Sequence, residues 1–184
     1  MEHLPSLIGT PPDVVMTHGP KKLYIDKYHW HMPKVGIVAS YTPTAFDVED
    51  HYGVFRGVDM IEAFGQASNG SCSAYIESIK QNCTFDHLKK TLTPLFISVG
   101  QVNFRGYLQQ GETFISIGHI LFYKFRQMTC EGRIYKVPQG LDLDEYFKEF
   151  TEQRLLSYDI DERFELVAEL SEIVGKGVKK DKYI

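Results

Sequence analysis

The stretch "EDHYGVFRGVDMIEAFGQA", residues 49–67, decides how this chain is read. A histidine and a glutamate stand in it among apolar residues and glycines. Up to Gly57 no period is visible, and "PTAFDVEDHYGVFRG" reads as a loop. From Val58 onward Met60, Ile61, Ala63, Phe64 and Ala67 recur at helical spacing, which predicts a helix running to about Ser78. Gly65, Ala67, Ser68, Gly70, Ser71 and Ser73 make its middle unusually small. Glycine in a helix interior costs about 1 kcal/mol relative to alanine, and the compensation expected here is a helix lying very close against a sheet.

The start of that helix suggests chemistry. Free N–H groups at Gly57 carry the positive end of the helix dipole and can polarise a carbonyl oxygen. Glu62 follows one and a half turns on, and Gln66 shares its face. His51 precedes Gly57 by six residues. A neutral histidine is a good base near pH 7, and an apolar pocket raises a glutamate's pKa toward that of a useful acid. Base, acid and oxyanion site together suit proton transfer beside a carbonyl. A plainer reading stays open: Asp59, Glu62, Gln66, Asn69 and Ser73 form one polar stripe, and such stripes are ordinarily solvated.

Outward from this segment the pattern is that of a sheet. "KKLYIDKYHWH" (21–31) and "VGIVASYT" (35–42) read as strands separated at Pro33. A short helix is expected over "TFDHLKKTL" (84–92). Three strands follow, "LFISVGQVNF" (95–104), "ETFISIGHILFYKF" (112–125) and "QMTCEGRIYKV" (127–137), with Gly106 and Gly111 marking a turn. They predict a meandering antiparallel sheet with one long helix inserted early. Residues 1–20 read as an irregular arm. Beyond Pro138 a helix is expected on Leu143, Tyr146, Phe147 and Phe150. A second is expected from Asp159, carrying Phe164, Val167, Ala168, Leu170 and Val174 and stopping at Gly175, with a polar tail after it.

Composition narrows the function classes. The 184 residues suit one domain with an appendage; 43% are hydrophobic and 24% charged, the balance of a globular chain. Twelve Phe and eleven Tyr suggest aromatic-lined space beside the sheet. A net charge of −4 argues against nucleic acid as a partner. No run approaches the ~18 apolar residues of a membrane span, and no secretory signal is visible. Cys72, Cys83 and Cys130, an odd set without motif spacing, fit reduced thiols in the cytoplasm. His29 and His31 alternate so as to share a strand face, but two ligands are too few for a metal, and none is expected. Cys72 reads as a core residue, His119 as a strand residue. Arg56, Arg105, Lys124, Arg126 and Lys136 are solvated cations or receivers of an acidic carrier or a CoA phosphate.

The order of residues from 21 to 137 resembles the β-hydroxyacyl-ACP dehydratases of the FabZ type. It is carried by "LYIDKY" (23–28), "ASYTPTAFDVEDHY" (39–52) ending at the histidine, then Gly57, Val58, Glu62, Ala63 and Gln66 in register, and "VNFRGYLQQGE" (102–112). The resemblance implies the hot-dog fold, an α+β architecture in which an antiparallel sheet wraps one long central helix. C-terminal helices over 138–184 would lie outside the family pattern.

It also implies roles. His51 would remove the C2 proton of a 3-hydroxyacyl thioester carried on acyl carrier protein or CoA. Glu62 would hold and protonate the departing C3 hydroxyl, with Gln66 orienting it. The N–H of Val58 would bind the thioester carbonyl, approached over Gly57. Histidine and glutamate come from different subunits in such proteins, so a homodimer is implied, without cofactor. The loop "HYGVFRG" is roughly three residues shorter than the family's and lacks its proline, removing up to ~10 Å of reach. Phe55 would narrow the site, and Tyr52 would gate the tunnel mouth or cover the sheet edge. Two alternatives stand beside dehydration: an acyl-CoA or acyl-ACP thioesterase, and a non-catalytic acyl-binding protein that kept the fold.

Overall fold

The structure, a computed structural model, describes residues 4–180. Six strands form one antiparallel sheet: β1 (Lys27–Met32), β2 (Gly36–Tyr41), β4 (Leu92–Phe104), β6 (Phe114–Lys124), β7 (Gln127–Lys136) and β8 (Glu165–Lys179). Their spatial order is β1-β2-β6-β7-β8-β4. Two short strands, β3 (Val54–Phe55) and β5 (Leu108–Gln109), pair separately and tie the loop before the helix to the turn after β4. The inner face of the sheet wraps one long central helix, made of Gly57–Gly65, Gln66–Ser71 and Cys72–Gln81 in succession.

Alternation along the strands sorts the core into two layers. Ile37, Ala39, Phe114, Met128, Cys130 and Ile134 point inward, against Met60, Ala63, Phe64 and Ala67 of the helix. Val38, Ile115, Ile117 and Tyr135 point outward. There two short helices, Leu143–Phe147 and Glu152–Ser157, cover them with Phe147, Phe150 and Leu155. Trp30 Nε1 donates to the Phe150 carbonyl at 2.8 Å and locks this cover to β1.

The helix does lie close to the sheet, and both surfaces are trimmed for it. A Cβ on Gly132 of β7 would meet the Ile117 carbonyl at 2.0 Å and the Phe64 ring at 2.5 Å. On the helix, a Cβ on Gly65 would strike the Phe96 ring of β4 at 2.2 Å. The small residues at the helix middle are therefore contact residues.

Two expectations fail. The helix expected from Asp159 to Gly175 is instead largely strand: β8 runs over Glu165–Lys179 and is not peripheral, pairing with β7 on one side and β4 on the other. The register shifts between Ile134 and Tyr135 and again between Cys130 and Gly132, so β8 carries extra residues opposite β7. These irregularities place its buried positions at Val167, Ala168, Leu170 and Ile173. The spacing of threes from Val167 through Leu170 to Ile173 imitates a helix. Gly175 lies within the strand, and the tail expected after it is strand as far as Lys179; residues 181–184 lie outside the described ones.

His29 and His31 do not share a face either. The β1–β2 register slips between Tyr28 and Trp30, so one residue is inserted at His29 and the alternation is reset. His31 turns inward onto Tyr75, its ring centroid 4.7 Å away, and accepts the Leu7 N–H at Nδ1, 3.1 Å. His29 turns outward to Asp144 and Ser40, 2.8 Å from each.

Burial lowers the pKa of His31 to about 4. An unfolded chain protonates this ring below pH ~6.5 and the folded chain does not, so the unfolded state binds the extra proton. Stability is then lost as pH falls from 6.5 toward 4, by roughly 2 kcal/mol between pH 7 and pH 5 from this group. Urea midpoints at both pH values should fall less with acid in His31→Phe than in the unsubstituted chain.

Candidate active site

A cavity of about 110 Å³ runs beside the central helix, between it, β4, β8 and the N-terminal arm. Its walls are apolar at Met16, Leu88, Leu92, Leu95 and Phe96, and Gly65 and Gly70 form the helix side of it, with Phe96 and Met16 packed against them. Polar groups converge at Glu62. Its Oε1 lies 3.2 Å from His18 Nε2 and accepts the Gln66 Nε2–H at 2.9 Å. The side chains of His18 and Glu62 are 24% and 32% exposed, so the contact is screened from water but not sealed.

Gln66 is held from three sides. Its amide nitrogen also donates to the Lys22 carbonyl at 2.7 Å, and its oxygen accepts the Tyr24 N–H at 2.8 Å. It is 2% exposed, which fixes both its rotamer and the carboxylate it touches. The helix widens to π geometry from Gln66 to Ser71, a distortion that often accompanies functional sites. The wide turn is stabilised by Ser71 Oγ donating to the Gln66 carbonyl at 2.8 Å. Asn69 Nδ2 donates to the carbonyls of Met128 and Ile173 at 3.0 and 3.1 Å, fastening the turn to β7 and β8.

The electrostatics reverse one expectation. The hydrogen bond from His18 holds the Glu62 pKa below the usual carboxylate range, outweighing the upward push of burial. Glu62 is thus an ionised carboxylate at neutral pH, not a carboxylic acid kept neutral by apolar surroundings.

The other residues singled out from sequence fall as follows. Glu62 and Gln66 come together on the cavity wall. His51 is exposed on the turn before β3, its Nδ1 2.9 Å from the Val54 carbonyl. Tyr52 beside it is fully exposed with φ 55°. Phe55, expected to narrow the site, is 0% exposed and packs into an aromatic core cluster with Tyr24, Tyr41 and Phe114. Gly57 starts the helix, and a side chain there would meet the Phe104 ring at 2.7 Å. Val58 is exposed, and neither it nor Gly57 lines the cavity.

Cys72 is fully buried, and burial pushes its thiol well above the usual range, so it is an inert core residue. Arg56, Arg105 and Lys136 are taken up by Asp59, Glu169, and Glu112 with Glu165. Arg126 is the one of the five candidate cations that lines the cavity. His18 was missed: it sits in an arm without periodicity, and no sequence signal joins it to Glu62.

No family model matches the sequence, and no curated protein is similar to it. Among solved structures the chain is similar to the dehydratase heterocomplex ApeI:P from Xenorhabdus doucetiae, at 12% identity and a TM-score of 0.64 over 93% of each chain. It also resembles the hypothetical protein SAV2348 from Staphylococcus aureus in complex with CoA (14% identity, 83% of this chain and 76% of that one, TM-score 0.49). A third is a hypothetical thioesterase with coenzyme A from Streptococcus pneumoniae TIGR4 (8% identity, 81% and 80%, TM-score 0.44). The sheet wrapped on its helix and the first of these likenesses agree: the chain has the hot-dog fold.

Proposed function

We propose that this chain processes acyl thioesters in the cavity beside its central helix, and that the reaction is dehydration of a 3-hydroxyacyl thioester. The observation that carries the reading is Glu62, a half-buried carboxylate oriented by Gln66 and touching a histidine on the wall of a cavity that also presents Met16, Leu88, Leu92, Leu95 and Phe96. The apolar part of that wall suits an acyl chain, and of the two carboxyl groups on the cavity Glu62 is the one beside a histidine, Glu77 being engaged by Tyr123 and Gln81. Lys89, Arg126 and Lys176 also line the cavity without a carboxylate ion partner among the described residues, which suits the phosphates of CoA or of a carrier protein's prosthetic arm.

A homodimer fits the same reading. β4 is an edge strand with Leu95, Phe96, Ile97, Val99 and Phe104 between 40% and 53% exposed, and long apolar edges call for a partner. A second copy along β4 would close the cavity at Leu95 and Phe96. The resemblance names His51 as the base; because that ring is exposed within one chain, this role needs the second copy's loop.

Thioester hydrolysis is the second reading, favoured by the ionised state of Glu62, since a carboxylate can activate water directly. One experiment separates the readings: full-length protein is mixed with 3-hydroxyacyl-CoA, and enoyl absorbance and free thiol are followed together. Dehydration predicts enoyl thioester without thiol. Thiol release transfers the assignment to hydrolysis, and a thioester recovered unchanged leaves only a binding protein.

A further inference from the structure

We propose that His18, delivered by the N-terminal arm of the same chain, is the histidine that exchanges protons with Glu62 and the substrate. The proposal rests on the acyl-thioester reading above. Its first support is the 3.2 Å contact between His18 Nε2 and Glu62 Oε1, both groups lining one cavity. The second is that His18 is not on a loose arm. Val15 and Met16 before it are each 3% exposed, and the Met16 methyl fills the space that a side chain on Gly70 would take. Lys89 Nζ holds the arm at the Asp13 carbonyl, 2.6 Å. After His18, Gln66 grips Lys22 and Tyr24 while also holding Glu62. The arm is therefore fastened on both sides of the ring, and one of the fastenings is the residue that orients the carboxylate.

Two open valences complete the case. His18 Nδ1 is buried without a hydrogen-bond partner among the described residues, a state that buried polar atoms rarely keep unless water or a ligand completes them. On Glu62, His18 and Gln66 both address Oε1, and Oε2 receives no hydrogen bond from the described residues.

The chemistry balances within the pair. In the proposed step one member of the pair acts as acid and the other as base. The base takes the C2 proton, and the C2–H electron pair becomes the C2–C3 double bond. The C3–O bond breaks toward the hydroxyl, which receives the proton of the acid and leaves as water. The proton now on the former base crosses the His18–Glu62 contact and restores the pair. No second subunit's histidine and no cofactor enters.

The test uses the full-length chain with 3-hydroxyacyl-CoA, comparing His18→Ala, His18→Gln and His51→Ala across pH. A positioned acid or base contributes 10²–10⁴-fold, so His18→Ala is expected to lose about that much with an unchanged unfolding midpoint. His18→Gln keeps an N–H donor to Glu62 but relays no proton, and it should be equally impaired. Full activity in His18→Gln makes residue 18 a support for the arm only and overturns the proposal. So does a His18→Ala variant that matches or exceeds the unsubstituted rate while His51→Ala is dead. If the unsubstituted protein dehydrates no 3-hydroxyacyl thioester, the dehydration reading itself fails, whatever the variants do, and the proposal falls with it.

Discussion

Glu62→Gln is expected to lower kcat/KM on an acyl thioester by 10²–10⁴-fold while leaving the unfolding midpoint within a few degrees. Glutamine has the shape of glutamate, and its carbonyl oxygen can still accept from Gln66 Nε2 and from His18 Nε2–H, the contacts that Oε1 makes now. What disappears is the charge and the ability to carry a proton. Dehydration needs the His18–Glu62 pair to take the C2 proton and return one to the C3 hydroxyl, and hydrolysis needs the carboxylate to draw a proton from water, so both reactions fail in this variant. Glu62→Asp is the companion: it keeps the charge but draws the carboxylate back by one methylene, away from a grip set by Gln66, and misplacement of that size is itself costly. Glutamine at 62 with activity within tenfold of the unsubstituted chain would remove Glu62 from the chemistry and leave the cavity as a binding site.

The fold and two residues of the candidate site, Glu62 and Gln66, are legible in the sequence, and what is not has physical reasons. Helical spacing from Val58 found the central helix, and the order Gly57, Val58, Glu62, Gln66 led to the hot-dog fold. Glu62 and Gln66 meet because residues four apart on a helix are neighbours. His18 meets Glu62 through the tertiary path of an irregular arm, and neither spacing nor composition encodes such a contact. The charge of Glu62 was read from burial alone, and burial loses here to one hydrogen bond. Phe55 reads as a site residue because it is bulky and lies inside the shortened loop between His51 and Gly57, but β3 pairs Phe55 with Leu108 and turns its ring into the core. The single residue inserted at His29 is likewise invisible in a sequence, because a bulge changes the face of a side chain without changing the alternation of letters.

Removing residues 162–184 is expected to leave a chain that does not fold. The stretch reads as a helix stopping at Gly175 with a polar tail, and on that view truncation would remove only its own contacts. β8 instead occupies the fifth position of a six-stranded sheet and is, among the described residues, the sole strand bonded to β4. Its loss would strip β4 of every ladder hydrogen bond and expose the β7 edge. Burial sets the scale: Val167, Leu170 and Ile173 are at most 3% exposed, and such side chains contribute about 1.5–3 kcal/mol each. Together they supply roughly 5–9 kcal/mol, comparable with the whole stability of an ordinary domain. Asn69 also loses the Ile173 carbonyl, one of two acceptors that fasten the wide turn of the central helix. The cavity goes with them, since Gly175, Lys176 and Gly177 form part of its wall. The measurement is urea unfolding followed by near-ultraviolet dichroism on a chain ending at Asp161. No cooperative transition is expected; a cooperative transition with a midpoint near that of the full chain would mean that β8 does not hold the sheet together.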